Sequence, residues 1–370
     1  MEKSFDLEHY LTEGVETIIK SALRATLKNP AESLFLAKYA VDARRANQKR
    51  GEAEKRGEHI PPFLIASITS VCNLHCAGCY ARANHACGED LFDGQLTEGE
   101  WRKIFLEARD LGISFILLAG GEPMLRREVI QTAGAIPEIL FPIFTNGTML
   151  DEAYLDLLDR HRNLVPVVSI EGEAVATDRR RGEGVYQRAS EAMGRMKDRG
   201  ILFGASITVT TENIGDVTSE EFLNSLEYLG CQVVFYVEFV PVTEEAAHLA
   251  PGDPERAYLQ TRLDSVRGER EEMLFVSFPG DEASSGGCLA AGRGFFHINA
   301  QGGAEPCPFS PYSDVNLKEG SLREALRSKL FLALREGDML KEEHSGGCVL
   351  FEKREQVAAL TKKNKGFDPW

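Results

Sequence analysis

The sequence lacks long apolar runs and a recognisable secretion signal. None of its 370 residues falls in an apolar stretch of the roughly 18 positions that a membrane-spanning helix needs. The first residues, MEKSFD, do not pair a basic region with an apolar one. We therefore expect a cytoplasmic protein without a membrane partner.

Positive charge is scarce relative to negative charge. The chain has 42 Lys and Arg against 57 Asp and Glu, which gives a net charge of -15. Because contacts to phosphates require clustered basic residues, this balance argues against a nucleic-acid partner. Hydrophobic residues make up 43% of the chain, which is enough to build a large core.

Cysteine, by contrast, is well represented and clustered. Eight cysteines without a secretion signal indicate metal ligation or catalysis rather than disulfides. Cys72, Cys76 and Cys79 lie within eight residues of one another. A 4Fe-4S cluster takes four ligands, so three thiolates would leave one iron free to bind a molecule that is not protein.

A zinc site is the alternative for this loop. Zinc is usually held by four ligands, and the nearby candidates for the fourth are His75, His85 and Cys87. The choice between iron and zinc therefore depends on the rest of the chain.

The spacing Cys-x3-Cys-x2-Cys after an apolar strand resembles the signature of the radical S-adenosylmethionine (radical SAM) enzymes. In that family the open iron binds the amino and carboxylate groups of S-adenosylmethionine. One electron then cleaves the sulfonium, and the 5'-deoxyadenosyl radical abstracts hydrogen from a substrate. The resemblance implies a catalytic 4Fe-4S cluster on Cys72, Cys76 and Cys79, S-adenosylmethionine as cofactor, and reduced flavodoxin or a ferredoxin-type protein as electron donor.

From Pro62 onward, short apolar runs alternate with amphipathic helices, a pattern that predicts an α/β fold with a parallel sheet. We expect strands at 63–70, 114–119, 139–145, 164–170, 202–210 and 232–240. Six strand-helix units fit an open (βα)6 partial TIM barrel, which is also the fold implied by the resemblance. A capping box of Thr97 and Glu100 predicts a helix with one apolar face formed by Trp101, Ile104, Phe105, Ala108 and Leu111.

We predict three parts: a helical N-terminal extension over 1–60, the barrel over 61–275 and a small iron-sulfur domain over 276–370. In the extension, helical spacing places Val15, Ile18, Ile19, Ala22 and Leu23 on one helix face. A second helix is expected to begin near Pro30 and to bury Leu34, Ala37 and Val41.

Polar motifs follow the expected strands, where active sites of parallel barrels lie. They are the cysteine loop, Gly120-Gly121-Glu122-Pro123, Thr145-Asn146-Gly147-Thr148, Ser169-Ile170-Glu171-Gly172 and Glu238. A glycine pair before proline and an Asn-Gly pair are also typical of ordinary turns.

The resemblance gives these motifs roles in binding S-adenosylmethionine. Gly120 and Gly121 would bring backbone carbonyls to the methionine amino group, with Glu122 as a negative partner. Ser169 and Arg181, which stand twelve apart, would hold the methionine carboxylate, a group that suits a guanidinium fork. A solvated or salt-bridged loop is the alternative for Arg181 and its arginine neighbours.

Asn146 is assigned to the cofactor site from its position, and Glu238 is the candidate catalytic residue. Two positions depart from the family pattern. Gly78 stands where an aromatic residue near the adenine is common, with Tyr80 the nearest ring in sequence. Glu171 stands where aspartate is commoner.

The C-terminal third has a second cysteine group. Cys288, Gly302 and Cys307 resemble the opening of the SPASM auxiliary-cluster domain, and residues 295–303 predict a hairpin. Only Cys348 follows, which implies a shortened domain with one auxiliary 4Fe-4S cluster. Its fourth ligand is not evident from the sequence.

Zinc is again the alternative at the C-terminal site, with His297 or His344 as the fourth ligand. For the substrate, the resemblance implies a peptide or protein side chain or, alternatively, a tetrapyrrole or another small molecule of cofactor biosynthesis. A non-catalytic protein with two structural or electron-transfer metal sites is the alternative of another class.

Overall fold

The computed structural model describes residues 30–89, 94–270, 272–337, 339–341 and 347–362. The helix expected between Val15 and Leu23 lies outside these residues, as does His344. Within these ranges no helix combines the length and the apolar composition that a bilayer crossing requires.

A nine-stranded sheet in the order β7-β6-β5-β4-β3-β2-β1-β8-β9 forms the centre of the fold. Its strands are β1 (Phe63–Thr69), β2 (Phe115–Gly120), β3 (Phe141–Thr145), β4 (Leu164–Ser169), β5 (Gly204–Val209), β6 (Val233–Glu238), β7 (Leu274–Phe278), β8 (His297–Ile298) and β9 (Ala304–Glu305). Strands β1 to β7 pair in parallel with their neighbours in sequence. The described strands leave the sheet open between β7 and β9, which confirms the α/β fold of a partial TIM barrel.

Helices connect and cover the strands. They are α1 (Pro30–Lys55), α2 (Tyr80–Ala83), α3 (Glu98–Leu111), α4 (Arg127–Gly134), α5 (Glu152–Arg160), α6 (Ala174–Arg181), α7 (Val185–Asp198), α8 (Ile214–Val217), α9 (Glu220–Leu229), α10 (Asp253–Glu269), α11 (Leu322–Leu326), α12 (Lys329–Glu336), α13 (Val349–Glu352) and α14 (Arg354–Lys362). Three 3-10 helices span Pro123–Leu125, Glu244–Leu249 and Gly280–Ser285. The capping box at the start of α3 is present, and all five residues of its expected apolar face are buried.

The six expected strands are confirmed, each within two residues at either end. The sequence prediction missed β7, because a five-residue apolar run cannot be assigned from periodicity alone. The hairpin over 295–303 is confirmed as the antiparallel pair β8 and β9. Strand β8 also pairs in parallel with β1, so the C-terminal third extends the barrel sheet itself.

The buried face of α1 differs from the expected one. Leu34 and Val41 are 74% and 47% exposed, and Ala37 is exposed as well. The buried face instead contains Leu36, Tyr39 and Ala43. Both sets have helical spacing, so periodicity did not distinguish them.

Tyr39 anchors α1 to the sheet. Its hydroxyl donates a 2.6 Å hydrogen bond to the carbonyl of Ser114, just before β2. Its ring packs in a small cluster with Ala43, Leu140, Val165 and Leu202. The side chain of Arg50, near the end of α1, donates to the carbonyl of Gly112, so the helix is fixed at two points.

Glu32 on α1 gives a test of this packing. Its buried carboxyl accepts a 3.1 Å hydrogen bond from Arg162, yet burial raises its pKa to about 7 from the usual value of 4.5. A raised carboxyl pKa stabilises the fold below the unfolded pKa, and this contribution is lost as pH rises through the folded pKa. Glu32→Gln should therefore reduce the fall in unfolding free energy between about pH 4.5 and 7.

The measurement is urea unfolding of both proteins across that pH range. Glu191→Gln, on the exposed face of α7, is the matched control and should follow the wild type. An unchanged pH profile for Glu32→Gln would contradict the burial of a protonated Glu32.

Candidate functional site

The polar motifs lie on one rim of the sheet. Strands β2, β3, β4 and β6 end at Gly120, Thr145, Ser169 and Glu238, and the cysteine loop follows β1. Because these strands are parallel, their carboxyl ends meet at the same edge. The structure therefore brings the predicted motifs together.

The cysteine loop is tied at its start to the loop after β2. The N–H groups of Gly121 and Glu122 donate 2.8 Å hydrogen bonds to the carbonyls of Thr69 and Val71. A Cβ on Gly120 would lie 2.3 Å from the Thr69 carbonyl oxygen. A Cβ on Gly121 would lie 2.1 Å from the Val71 oxygen. The glycine pair therefore permits backbone contact between the two loops.

Gly121→Ala should separate these loops, because the clash is with backbone atoms that cannot rotate away. We expect a fall in unfolding free energy of about 1–3 kcal/mol, as for other overpacked sites, and loss of iron from the loop. Thermal unfolding and iron content of the reconstituted protein measure the two effects.

Gly194→Ala is the matched control for this substitution. Gly194 lies within α7, and a Cβ added there would meet no neighbouring atom within 4 Å. Alanine there should stabilise the protein by roughly 0.5–1 kcal/mol. Equal behaviour of the two variants would show that the contact at Gly121 does not hold the loop.

Glu122 is buried and joins the ends of β2 and β3. Its carboxylate accepts hydrogen bonds from the Thr145 hydroxyl at 2.7 Å, the Asn146 N–H at 2.8 Å and the Met124 N–H at 3.0 Å. Burial raises its pKa, while these hydrogen bonds act in the opposite direction. The Asn146 side chain donates a 2.9 Å bond to Asn73 in the cysteine loop. Glu122 and Asn146 thus connect three rim loops.

Arg181 lies at the rim in a buried ion pair. Its Nε and Nη2 donate to Oε1 of Glu171 at 2.9 and 2.5 Å, and Arg180 donates to the same oxygen at 2.9 Å. The Glu171 side chain is only 3% exposed. Two guanidinium groups on one carboxylate leave a net positive charge beside the cysteine loop.

The positive charge of Arg181 acts on the thiols of the cysteine loop. Burial raises the pKa of Cys76, and the positive charge of Arg181 partly offsets this. Arg181 also acts on Glu122, so the two sequence-predicted cofactor residues are close. Ser169, at the end of β4, is half-buried. The backbone carbonyl of Arg180 also accepts a 2.8 Å hydrogen bond from Ala77 inside the loop.

The three loop thiols are half-exposed neighbours. Burial raises the pKa of Cys72 to about 11, and the charges of Cys76 and Cys79 add to the shift. In the described part of the chain, no three Cys, His, Asp or Glu side chains are already gathered around a metal-sized position. Cys thiols reorient by rotation about one side-chain bond, and three soft donors on one loop suit an iron-sulfur cluster.

The candidate fourth zinc ligands behave differently. His75 points to solvent, where it contacts Glu89 at 2.7 Å with 61% of its side chain exposed. Cys87 is buried, and its thiol donates a hydrogen bond to Cys79, which lowers the pKa of Cys79 to about 5. The sequence offered Cys87 only as an alternative fourth zinc ligand, since its separation of eight residues from Cys79 does not match a common metal spacing.

An aromatic ring at the loop was also missed. Gly78 has a φ of +66°, and a Cβ there would lie 2.8 Å from the ring of Phe239. The guanidinium of Arg180 lies 5.8 Å from the centre of the same ring. Phe239 follows β6, far from Gly78 in sequence, so only the fold places the ring beside the position that lacks one.

Glu238, the candidate catalytic residue, is buried in an ion pair. Its Oε1 accepts hydrogen bonds from Nε and Nη2 of Arg256 at 3.0 and 2.6 Å. This contact connects the end of β6 to α10.

The C-terminal cysteines form a second group. The Cys307 thiol donates a hydrogen bond to Cys348, and the charge of Cys288 acts on Cys307. Cys288 and Cys307 are buried. These pairwise interactions link cysteines from segments that are 19 and 41 residues apart in sequence, but among the described residues the three side chains do not surround a metal-sized position.

Both ring nitrogens of His297 have hydrogen-bonding partners. One ring nitrogen contacts the Ser67 hydroxyl at 2.7 Å and the other contacts Glu305 at 2.7 Å. In this structure both ring nitrogens therefore have partners other than a metal, which argues against His297 as the fourth ligand of a zinc site. The contacts join β1, β8 and β9 by side chains as well as by backbone.

Comparison with known proteins shows what the part of the chain around this site is similar to. Residues 66–229 match the family model of the Radical SAM superfamily. An AdoMet-dependent heme synthase of Methanosarcina barkeri (strain Fusaro / DSM 804) is 27% identical over 328 residues, which cover 80% of this chain and 90% of that protein. The PqqA peptide cyclase of Rhizobium meliloti (strain 1021) is 25% identical over 337 residues, covering 84% and 87%.

A solved structure shares the fold. Streptococcus suis SuiB, crystallised with S-adenosylmethionine, superposes with a TM-score of 0.64 and 15% identity, covering 82% of this chain and 77% of that one. Residues 66–229 thus match a radical SAM domain, and the protein is an enzyme. The radical SAM fold implies a 4Fe-4S cluster and S-adenosylmethionine.

Proposed function

We propose that this radical SAM enzyme binds its catalytic 4Fe-4S cluster through Cys72, Cys76 and Cys79 and abstracts hydrogen from a substrate on the concave face of the sheet. When bound, the cluster supplies the electron that cleaves S-adenosylmethionine to methionine and a 5'-deoxyadenosyl radical. The observation that carries the proposal is the loop of three half-exposed thiols surrounded by the ends of β2, β3 and β4. Reduced flavodoxin or a ferredoxin-type protein would deliver the electron.

The rim residues would hold S-adenosylmethionine by its methionine end. Backbone carbonyls of Gly120 and Gly121, with the negative charge of Glu122, suit the amino group. Ser169 and Arg181 suit the carboxylate, because a hydroxyl and a guanidinium both donate hydrogen bonds.

Arg181 can bind the methionine carboxylate although it pairs with Glu171, because Arg180 pairs with the same glutamate. Glu171 is buried and would be destabilised without a cation. Because Arg180 also donates to Glu171, Arg181 can share its donors with a second carboxylate while Glu171 keeps a partner. We assign adenine contact to Phe239, the ring beside Gly78. Asn146 positions Glu122 and the cysteine loop, and we give Glu238 no role in the chemistry.

The second cysteine group would bind an auxiliary 4Fe-4S cluster in a shortened SPASM-like domain. The contacts among Cys288, Cys307 and Cys348 support this assignment, as does the engagement of His297 by Ser67 and Glu305. The buried Cys288 and Cys307 and the half-buried Cys348 would hold this cluster in a segment that β8 joins to the barrel sheet.

For the substrate, we favour a tetrapyrrole. Alternate residues of a strand face opposite sides of the sheet, and the side away from the helices carries half-buried apolar residues, among them Leu117, Phe144, Phe235, Val237 and Val276. Phe144 and Phe235 meet across strands with ring centres 5.3 Å apart. A broad apolar surface suits a flat macrocycle, and similarity to a heme synthase extends along most of the chain.

A peptide or protein side chain is the second candidate. Similarity to the PqqA peptide cyclase extends over a comparable length, and the fold resembles that of SuiB. Against it, the described N-terminal element is a helix, α1, rather than the strands that would pair with an extended peptide.

The first experiment measures iron and product in protein reconstituted without oxygen and incubated with dithionite and S-adenosylmethionine. We expect roughly eight irons per chain, as two 4Fe-4S clusters require, together with 5'-deoxyadenosine. About four irons with product would remove the auxiliary cluster. Zinc in place of iron, without product, would overturn the whole proposal.

The substrate class is tested by titrating the enzyme with iron coproporphyrin and following the Soret band. We expect saturable binding and faster 5'-deoxyadenosine formation, with binding weakened about tenfold by Phe235→Ala, the cost of one lost ring contact. Tyr228→Ala, at a residue 79% exposed, is the control. Absence of binding would favour the peptide candidate.

A further inference from the structure

Glu282 is a buried carboxylate whose hydrogen bonding is incomplete. It lies in the 3-10 helix that follows β7 and is 3% exposed. Among the described residues, none forms a hydrogen bond with its Oε1. A buried carboxylate oxygen without a partner costs on the order of 1–3 kcal/mol or more, so the site favours a ligand that would satisfy it.

The nearby cation Arg293 does not supply the missing hydrogen bond to Oε1 of Glu282. Arg293 donates its hydrogen bonds to the carbonyls of Cys288, Leu340 and Gly286. The carboxyl of Glu282 is held instead by the backbone N–H of Leu289. Of these contacts only the Leu289 N–H bond reaches the Glu282 carboxyl, and it leaves Oε1 unsatisfied.

Oε1 belongs to the same buried region as the three C-terminal cysteines. Glu282 lies close enough to Cys348 and to Cys288 for its charge to interact with both, and Cys307 contacts Cys348. Three thiols and one carboxyl, all acids, therefore share one water-poor region.

Such a group of acids is unfavourable unless a cation joins it. Four ionised groups together in a buried region repel one another and lose their hydration. A metal centre reverses this balance, because each deprotonated group becomes a ligand. The number of groups equals the four ligands that a 4Fe-4S cluster takes.

We propose that Glu282 supplies the fourth protein ligand of the metal centre held by Cys288, Cys307 and Cys348. The inference rests on the auxiliary cluster proposed above and identifies the ligand that the cysteine pattern does not show. Oxygen is a harder donor than sulfur, so the iron bound to Glu282 would differ from the other three. Rotation of the Cys307 and Cys348 side chains from their present hydrogen bond would direct both sulfurs to the cluster.

The test isolates this centre in the full-length chain. Cys72→Ala, Cys76→Ala and Cys79→Ala together remove the first cluster, and the protein is reconstituted with iron-57 without oxygen. We expect about four irons per chain and a Mössbauer spectrum in which about a quarter of the signal, one iron of four, forms a distinct doublet. Glu282→Cys should merge that doublet with the others, and Glu282→Ala should make it shift on addition of imidazole.

Asp281→Asn is the matched control, because Asp281 lies on the same turn but pairs with Arg267. Its spectrum should equal that of the parent. Since Glu282→Ala could also fail to retain iron, Glu282→Cys, which keeps a ligand, decides between loss of a ligand and loss of the fold.

The outcomes separate the two proposals. Four irons with spectra that do not respond to any substitution at Glu282 would overturn the ligand and leave the auxiliary cluster intact. No iron in the parent would overturn the cluster and the ligand with it. Zinc in the parent that is lost in Glu282→Ala and kept in Glu282→Cys would support the ligand and overturn the cluster.

Discussion

Cys76→Ala is expected to abolish cleavage of S-adenosylmethionine while leaving the barrel folded. Two thiolates cannot replace the three that hold the catalytic cluster, so product formation should fall below detection. Iron should drop from about eight to about four per chain. The fold should persist, because Cys76 is half-exposed on a loop and contributes no strand contact.

The measurement combines 5'-deoxyadenosine analysis, iron content and far-ultraviolet circular dichroism. Cys231→Ala is the control for removal of a thiol, since Cys231 is a buried residue beside β6. Cys87→Ala is a second comparison, because its thiol contacts Cys79. Retained activity in Cys76→Ala would refute the ligand assignment, and loss of metal from Cys87→Ala would favour a four-thiol zinc site.

Glu122→Ala is expected to have the second largest effect. The substitution leaves the Thr145 hydroxyl and the N–H groups of Asn146 and Met124 without their acceptor in a buried site. At about 1–3 kcal/mol for each unsatisfied group, the unfolding free energy should fall by roughly 3 kcal/mol or more. Displacement of the rim loops should lower the rate of S-adenosylmethionine cleavage about a hundredfold.

Chemical denaturation and initial rates measure the two effects separately. Glu128→Ala, an exposed residue of the neighbouring helix α4, is the control and should change the unfolding free energy by less than about 0.5 kcal/mol. The unfolding free energy of Glu122→Gln should lie between those of the wild type and Glu122→Ala. Its amide keeps one acceptor oxygen, but its NH2 group faces donors that the second carboxylate oxygen had accepted from. A wild-type denaturation midpoint for Glu122→Ala would mean that water replaces the carboxylate.

The sequence predicted the rim and most of the sheet because those features are local. A strand of alternating or continuous apolar residues followed by a polar motif can be recognised within ten residues, and β1 to β6 have this form. The face of α3 could be predicted for the same reason, since Thr97 and Glu100 mark its start and fix the register of its apolar residues.

What the sequence did not predict depends on contacts between distant segments. Helix α1 has apolar residues on more than one side, and only the position of Ser114 and the cluster around Tyr39 decides which side is buried. Phe239 lies far in sequence from Gly78, and Glu282, although only six residues before Cys288, lies 66 residues before Cys348. Their surroundings, rather than any motif, distinguish them from other phenylalanines and glutamates.

The pairing of β8 with β1 has a consequence for any shortened form of this protein. A chain that stopped at residue 275 would keep most of the parallel strands but would turn β1 into an edge, with the N–H and C=O groups that now face Phe296, His297 and Ile298 left unpaired. Exposed edges of that kind recruit strands from other molecules. We therefore expect the isolated barrel to aggregate, because the C-terminal third no longer covers the β1 edge.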